Sequence, residues 1–368
     1  AEFAEKLAFV RDKILWRRFL SAEVLLDWAV RMKRAQMGLG LPIAFVIGAS
    51  TMSALQLGSV PLMVVPQQMF AGINSFALVA VPMFILAGDI MAHGEISKRL
   101  VAFADSLFGF IKGGLSVVSV LAGMFFAAIS GSGAATTAAV GASLVPELKR
   151  KGYDPASAAA LIAASGTIGV VIPPSVPIII YAVIAQESVK DLFLSGFIPG
   201  IAMGLGLMAI ALVQGHKRAY PRGTELSLRS ILRTLLSASW GLMAPLIILG
   251  GIYGGVFTPT EAGAVGALGA LTIAILKRKL NRSALWSVLV ETGHIAASIL
   301  MLIVAATMYS RMLALSGLPS DLGDWISQAD IGLTGILTIY VIILILMGTI
   351  LDTTSIILIM VPLFLPVM

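Results

Sequence analysis

Apolar segments separated by short polar stretches run along the chain from about residue 37 to residue 368. Some, such as Leu194 to Val213 and Ile331 to Ile350, are apolar for the roughly 20 residues that a helix needs to cross a bilayer. These segments do not show the short period-two alternation that marks the strands of a membrane barrel. The pattern therefore predicts an all-α polytopic membrane protein.

Several of the predicted segments are too short to cross a bilayer alone. The segments are residues 37–57, 59–71, 76–92, 114–130, 134–148, 156–172, 176–186, 191–213, 240–256, 260–276, 295–315, 331–350 and 354–368. Segments of about 10 to 17 residues interrupted by Gly, Pro or Ser are typical of re-entrant hairpins and discontinuous helices. Two amphipathic stretches, 94–113 and 317–328, predict helices that lie along the membrane surface.

Composition excludes several classes of protein. With 58% hydrophobic and 12% charged residues, the chain is far from a soluble domain. It has no cysteine, and His93, His216 and His294 lie in unrelated segments without metal-ligand spacing. Because no histidine is within reach of a serine motif, an intramembrane enzyme is not expected. The net charge of +6 indicates basic cytoplasmic loops rather than a nucleic-acid partner.

Basic residues set the predicted orientation. The stretches after Val213 and Leu276 and the turn from Lys149 to Lys151 are rich in Lys and Arg, which predicts that all three face the cytoplasm. Residues 1–37 alternate basic and apolar side chains. This alternation predicts an interfacial arm that either docks a partner subunit or rests on lipid headgroups.

Two interruptions of apolar segments in the first half of the chain are candidates for a binding site. The stretch from Ser130 to Thr137 combines Gly with Ser and Thr, so unwound carbonyls and hydroxyls there could form an uncharged oxygen cage for a hard monovalent cation. A small-residue packing face between helices is the alternative. The stretch from Ser165 to Pro177 holds three prolines and two glycines, which a continuous helix does not accommodate. We expect the turn of this second stretch to face the serine-rich break. Because both breaks lie in one half of the chain, we favour an ion and substrate site over a packing face.

The second half of the chain has a candidate break from Gly348 to Ser355. Asp352 is an ionisable group between apolar runs, and a bound cation would be its natural partner. It could equally cap the following helix. Arg311 lies late in an apolar segment, where it either holds a substrate carboxylate or snorkels to the interface. Asp89 and Glu261 are interpreted as structural residues at turns or helix starts.

A weak internal repeat relates the two halves. Gly38, Pro42 and Gly48 recur at the spacing of Gly241, Pro245 and Gly251. Tracing the basic loops through the spans indicates halves of opposite orientation, as in transporters built from inverted repeats.

The run from Gly251 to Ala262 (GIYGGVFTPTEA) resembles the signature of the large membrane subunit of tripartite ATP-independent periplasmic (TRAP) transporters. Other landmarks occur in the order that this family shows, namely Gly40 to Phe45, Val81 to Gly88, Ser130 to Ala134, Ile172 to Ser175 and Asp352 to Thr354. The resemblance covers about residues 38–368.

The resemblance implies an ion-transporter-like fold of inverted repeats that works as an elevator, in the bacterial inner membrane. It also implies sodium coupling without any other cofactor, a small membrane subunit, and a periplasmic binding protein. That protein would deliver a small organic carboxylate such as a C4-dicarboxylate or sialic acid. A self-sufficient sodium/dicarboxylate symporter without a binding protein is the alternative.

Matching positions in the family's motifs, together with the breaks described above, give the predicted site. The predicted substrate-binding residues are Ser130, Ser132, Pro173, Ser175, Arg311, Asp352 and Thr354. The predicted sodium-binding residues are Ser130, Ser132, Gly133, Gly166, Thr167, Gly169, Asp352 and Thr353. No catalytic residue is predicted.

The same reasoning divides the chain into five parts. The parts are a basic arm or small-subunit remnant (1–37), the scaffold of the first repeat (38–113), the first transport domain with its re-entrant hairpin (114–190), a linking span with the second scaffold (191–330), and the second transport domain, cut before its hairpin (331–368). The sequence does not name the substrate, since a separate delivery protein can set that choice.

Overall fold

The computed structural model describes residues 43–57, 60–61, 63–93, 96–223, 226–276, 281–318, 321, 323–324, 328, 332–349 and 351–365. The predicted basic arm, residues 1–37, lies outside the described residues, as does half of the predicted surface helix 317–328.

Most of the described residues are helical, and an isolated bridge between Lys112 and Arg222 is their one β-type pairing. A short 3-10 helix, Phe76–Val79, precedes α3. The α-helices are α1 (Ile43–Leu57), α2 (Val64–Ile73), α3 (Ala80–His93), α4 (Ile96–Phe108), α5 (Gly114–Ser130), α6 (Gly133–Arg150), α7 (Pro155–Val171), α8 (Val176–Ala185), α9 (Val189–Lys217), α10 (Leu228–Tyr253), α11 (Pro259–Leu276), α12 (Arg282–Ser316), α13 (Leu333–Gly348) and α14 (Thr353–Phe364).

Five helical segments among the described residues are long and apolar enough to cross a membrane. They are the pair α7 and α8 counted together, α9, α10, α11 and α12. This agrees with the predicted all-α polytopic membrane protein. Two helices begin well before the predicted apolar segments, because α10 and α12 extend into stretches that carry Arg229, Arg233 and Arg282. Hydropathy marks the part of a helix inside the bilayer core and not its ends.

By internal packing the chain forms two units, residues 76–296 and residues 1–75 with 297–368. In the larger unit, α4 lies within the predicted amphipathic stretch 94–113, and its buried side packs with α5 and α6 around Phe103, Leu115 and Leu144. In the other unit, Val65 of α2 packs with Val304 and Met308 of α12. The five functional parts given above remain a prediction.

Candidate functional site

Helices α5 and α6 form a hairpin whose turn consists of Gly131 and Ser132. Gly131 adopts the left-handed conformation (φ 60°) and ends α5, its N–H donating to the Ala127 carbonyl. Ser132 caps α6, because its hydroxyl accepts from the Ala135 N–H at 3.4 Å. The helices are 17 and 18 residues long, about 26 Å at 1.5 Å per residue. Since this is shorter than the bilayer core of about 30 Å, a hairpin entering from one face has its tip inside the membrane.

Helices α7 and α8 form a discontinuous span, broken at residues 172–175. Pro173 and Pro174 lack the N–H groups needed to continue α7, so the helix ends at Val171. Ser175 then caps α8 by accepting from the Ile178 N–H at 3.4 Å, while its own hydroxyl donates to the Val170 carbonyl. One serine therefore ties the end of one half-helix to the start of the next.

The hairpin tip and the broken span meet, as the sequence predicted. The Val176 N–H donates to the Gly131 carbonyl at 3.2 Å. A Cβ added to Gly131 would lie 2.5 Å from the Pro174 carbonyl oxygen, so backbone contacts backbone here. Helices α6 and α8 therefore begin beside each other, next to the C-terminal ends of α5 and α7.

A cluster of buried oxygen atoms fills the hairpin tip. The Ser130 hydroxyl lies 2.9 Å from the Thr136 hydroxyl, and the latter donates to the Ser132 carbonyl at 2.8 Å. Ser130 is 3% exposed and Thr136 is fully buried. We call Ser130, Ser132 and Thr136 the tip cluster. It consists of neutral oxygen ligands and contains no charged side chain.

Two predicted glycines let α7 approach this cluster. A Cβ added to Gly169 would lie 2.7 Å from the Thr136 hydroxyl and 2.9 Å from the Ser132 carbonyl. One added to Gly166 would lie 1.8 Å from the Thr137 hydroxyl and 2.9 Å from the Gly133 carbonyl. Gly133, Gly166 and Gly169 thus bring backbone carbonyls of α6 and α7 close together.

The structure brings together most of the residues predicted in the first half, but not Thr167. That residue is exposed on α7, and its hydroxyl donates to the Ala164 carbonyl of its own helix at 2.7 Å. Conversely, Thr136 was missing from the predicted site residues, although its spacing of four from Ser132 on one helix could have found it.

The predicted residues of the second half lie in the other packing unit. Asp352 caps α14, because one carboxylate oxygen accepts from the Thr354 N–H at 3.0 Å and the Ser355 N–H at 3.2 Å. Its other oxygen accepts from the Ser355 hydroxyl. The capping role that the sequence left open is therefore observed. Thr353 is exposed, Thr354 is half-buried, and Arg311 lies on an exposed face of α12.

The base of the hairpin gathers the basic ends of several helices. In the turn between α6 and α7, the Tyr153 ring packs at a tilt against the Tyr220 ring, the ring centroids being 4.1 Å apart. Arg218, which follows α9, pairs with Asp154 at 2.9 Å. The Ser157 hydroxyl, followed by the Arg218 guanidinium, lowers the pKa of Asp154 to about 2. The basic stretch after α9 and the turn at Lys151 therefore share one face, as predicted.

The signature run GIYGGVFTPTEA builds a helix start. Thr258 and Glu261 form a capping box: the Glu261 carboxylate accepts from the Thr258 N–H at 2.8 Å, and the Thr258 hydroxyl accepts from the Glu261 N–H at 3.3 Å. Pro259 takes the first helical position of α11. The structural interpretation of Glu261 agrees with this geometry. Asp89, in contrast, lies inside α3 rather than at a helix start, and accepts from the Thr292 hydroxyl at 3.1 Å.

Among the described residues, no group of three or more His, Asp or Glu side chains could hold a metal ion. His216 lies at the end of α9, with its Nδ1 atom 3.1 Å from the Leu212 carbonyl. The hydroxyls and carbonyls of the tip cluster are instead the ligand type that a hard monovalent cation takes at broken helices.

Comparison with known proteins matches this architecture to transporters. The family model described as "Tripartite ATP-independent periplasmic transporter, DctM component" matches residues 34–368. The isethionate TRAP transporter permease protein DctMQ of Oleidesulfovibrio alaskensis is 38% identical over 335 residues, which cover 89% of this chain and 52% of that protein. This chain therefore spans about half the length of that relative.

Two other relatives are covered more fully. The C4-dicarboxylate TRAP transporter large permease protein DctM of Pseudomonas aeruginosa is 36% identical over 301 residues, 82% of this chain and 70% of that protein. The 2,3-diketo-L-gulonate TRAP transporter large permease protein YiaN of Escherichia coli is 36% identical over 332 residues, 89% of this chain and 78% of that protein.

Proposed function

The chain belongs to the DctM component family of tripartite ATP-independent periplasmic (TRAP) transporters, and from that premise we propose that it carries out sodium-coupled uptake of a small organic carboxylate. That family is one of transporters, and this member is a multi-pass inner-membrane protein with five helical segments of spanning length among its described residues.

The observation that carries the proposal is the meeting of two helix breaks at the hairpin tip. Two half-helix N-termini favour a negative charge beside them, and nearby carbonyls and hydroxyls favour a cation. The contact of Val176 with Gly131 holds both elements in one place. A cation and a carboxylate can therefore bind at neighbouring positions, which is what coupled transport requires.

In this proposal the tip cluster holds a sodium ion. Ser130 and Ser132 supply hydroxyl and carbonyl oxygens, and the glycines of α7 bring further carbonyls near. The substrate carboxylate binds at the starts of α6 and α8, where Ser132 and Ser175 are the capping residues. Asp352, Thr353, Thr354 and Arg311 would form the corresponding part of the second repeat.

Sodium entry supplies the driving force. Each positive charge that moves down the membrane potential contributes about 2.3 kcal/mol per 100 mV. A few coupled ions would be enough to accumulate a carboxylate. In the elevator mechanism that the family resemblance implies, the hairpin and the broken span would cross the membrane together with ion and substrate.

We propose two protein partners, a periplasmic binding protein and a small membrane subunit. The relatives described above are named for C4-dicarboxylates, 2,3-diketo-L-gulonate and isethionate, all small organic acids. A small carboxylate, with sialic acid as a narrower possibility, is accordingly the proposed cargo. No cofactor other than the coupling ions is proposed.

Uptake into proteoliposomes tests the proposal. The full-length protein that contains this chain would be reconstituted with its small membrane subunit, and the binding protein added outside with a radiolabelled organic acid. We expect uptake that requires both an inward sodium gradient and the binding protein. Equal uptake when choline replaces sodium would reject the coupling. Equal uptake of free substrate without the binding protein would favour the self-sufficient symporter.

A further inference from the structure

A groove between four helices of the larger unit is not used by the transport site. Its walls come from the end of α3, the start of α4, the middle of α10 and the end of α11. The groove is narrow and partly open to its surroundings. The lining is apolar at Ile96, Ala270 and Ile273, with Arg99, Ser237 and Trp240 as its polar or amphipathic members.

Arg99 is positioned by one neighbouring residue on α10. Its Nη1 atom donates to the Ser237 carbonyl at 3.3 Å and to the Ser237 hydroxyl at 3.4 Å. None of the ion pairs of the described residues involves Arg99. An arginine has five N–H donors, so most of this guanidinium remains available to a planar or tetrahedral anion.

The groove lies at the basic end of α11 and on the half of α10 nearer to its basic start. Helices α3 and α11 run in the same direction, because Gly263 packs on Met83 and, farther along, Gly266 packs on Ala87. Helix α11 ends at Leu276, and three basic residues follow it in the sequence. Ile273 is thus about 4.5 Å from the end of its helix at 1.5 Å per residue. By the positive-inside rule this is the cytoplasmic headgroup level.

Basic side chains and an aromatic ring at this depth are typical of contact with phospholipid headgroups. Arg233 lies one helical turn from Ser237 on the same face of α10 and is exposed. Trp240, 46% exposed, is at the rim of the groove, where amphipathic rings are usual at a membrane interface. Gly241 lets the start of α4 pack against α10, since a Cβ there would lie 2.5 Å from the Ile96 Cγ2 atom.

We propose that this groove binds one anionic phospholipid of the cytoplasmic leaflet. Arg99 pairs with the lipid phosphate, and the apolar lining takes the first part of an acyl chain. Net negative lipids are preferred over zwitterionic ones, because the groove presents positive charge without a compensating carboxylate among the described residues. The site is independent of the coupling ion and of the transported substrate.

Lipid retention measured by native mass spectrometry tests this proposal. The full-length protein would be purified in detergent and titrated with phosphatidylglycerol or phosphatidylcholine. Arg99→Gln and Lys98→Gln form a matched pair, since each removes one positive charge from neighbouring positions of α4. We expect Arg99→Gln to bind phosphatidylglycerol about five-fold more weakly than wild type, and Lys98→Gln to behave as wild type.

A second pair keeps Arg99 in place. In Ser237→Asp the new carboxylate lies within reach of the guanidinium and competes with the lipid phosphate, whereas Ser237→Asn adds no charge. We expect Ser237→Asp to lose phosphatidylglycerol binding and Ser237→Asn to keep it. This pair tests the pairing of Arg99 with the lipid phosphate even if Arg99→Gln does not fold. Three results would each overturn the proposal. The first is equal phosphatidylglycerol binding by the two variants of either pair. The others are retention of phosphatidylcholine as strong as that of phosphatidylglycerol, and displacement of the bound lipid by inorganic phosphate.

Discussion

Gly131 is the residue on which the geometry of the hairpin tip depends. Its left-handed backbone costs a residue with a Cβ about 1–2 kcal/mol. The Cβ would in addition press on the Pro174 carbonyl at 2.5 Å, and overpacking of this kind costs about 1–3 kcal/mol. We therefore expect Gly131→Ala to lower the free energy of unfolding by the sum of these two costs. Thermal unfolding in detergent measures the change.

Gly152 provides the matched control for this substitution. It is also left-handed (φ 79°), but nothing lies within 4 Å of an added Cβ. Gly152→Ala should therefore lose only the about 1–2 kcal/mol of the backbone conformation. Equal losses for the two variants would mean that the tip does not contact the broken span as described.

Ser130 tests the proposed ion site at the level of one hydroxyl. Ser130→Ala removes an oxygen of the tip cluster, and we expect the sodium concentration for half-maximal thermal stabilisation to rise about tenfold, the equivalent of about 1.4 kcal/mol. Ser143→Ala is the control, because this hydroxyl lies on α6, the other helix of the same hairpin, and donates to the Ala139 carbonyl at 3.2 Å. Equal sodium dependence of the two variants would remove Ser130 from the site.

The candidate residues show what the sequence can and cannot predict at this scale. Breaks rich in Ser, Gly and Pro predicted correctly that Ser130 and Pro173 belong to elements that meet. Thr136 and Thr167 both carry hydroxyls near a break, yet only Thr136 faces the tip cluster. Which face of a helix points at its neighbour depends on packing between distant segments, and the local sequence does not contain that information.

At the scale of elements, the turn from α6 to α7 should respond to acid. The pKa of Asp154 is about 2 in the folded protein, below its usual value of about 3.9. The ionised carboxylate therefore stabilises the fold above about pH 4, and this contribution is lost as the pH falls from about 4 to about 2. Asp154→Asn keeps a capping oxygen without this titration.

The measurement is the thermal midpoint of both proteins as a function of pH. We expect wild type to exceed Asp154→Asn by a constant difference above about pH 5, with the difference shrinking in more acidic solution. A difference that is unchanged at the acid end would show that the Asp154 carboxylate has no special role in capping α7 and pairing with Arg218.

Helix boundaries illustrate how far elements follow from hydropathy. The predicted segment 114–130 coincides with α5, because glycines flank it on both sides. The apolar segment predicted from residue 240 lies mostly inside α10, which begins twelve residues earlier at Leu228. Arginine is a good helix former, so a polar stretch can continue a helix although it leaves the apolar core. Caps and breakers therefore predict ends better than hydropathy does.

At the scale of the whole molecule, local patterns predicted an all-α polytopic protein with a hairpin and a discontinuous span in its first half. The second half has a similar order of elements, in which α13, a short break and the Asp352-capped α14 resemble α5, the tip and the Ser132-capped α6. Inverted repeats and elevator motion remain predictions, because they concern the relation between distant parts of the chain and between two states.

Sodium-dependent thermal unfolding of the full-length protein tests the central claim most directly, since it requires neither a known substrate nor a partner. Binding to the folded state alone stabilises by RT ln(1 + [L]/Kd), about 2.7 kcal/mol at a hundredfold excess over Kd. At constant ionic strength, we expect sodium to raise the thermal midpoint to a plateau and potassium or choline to leave it unchanged. An equal midpoint in all three salts would contradict a sodium site at the hairpin tip.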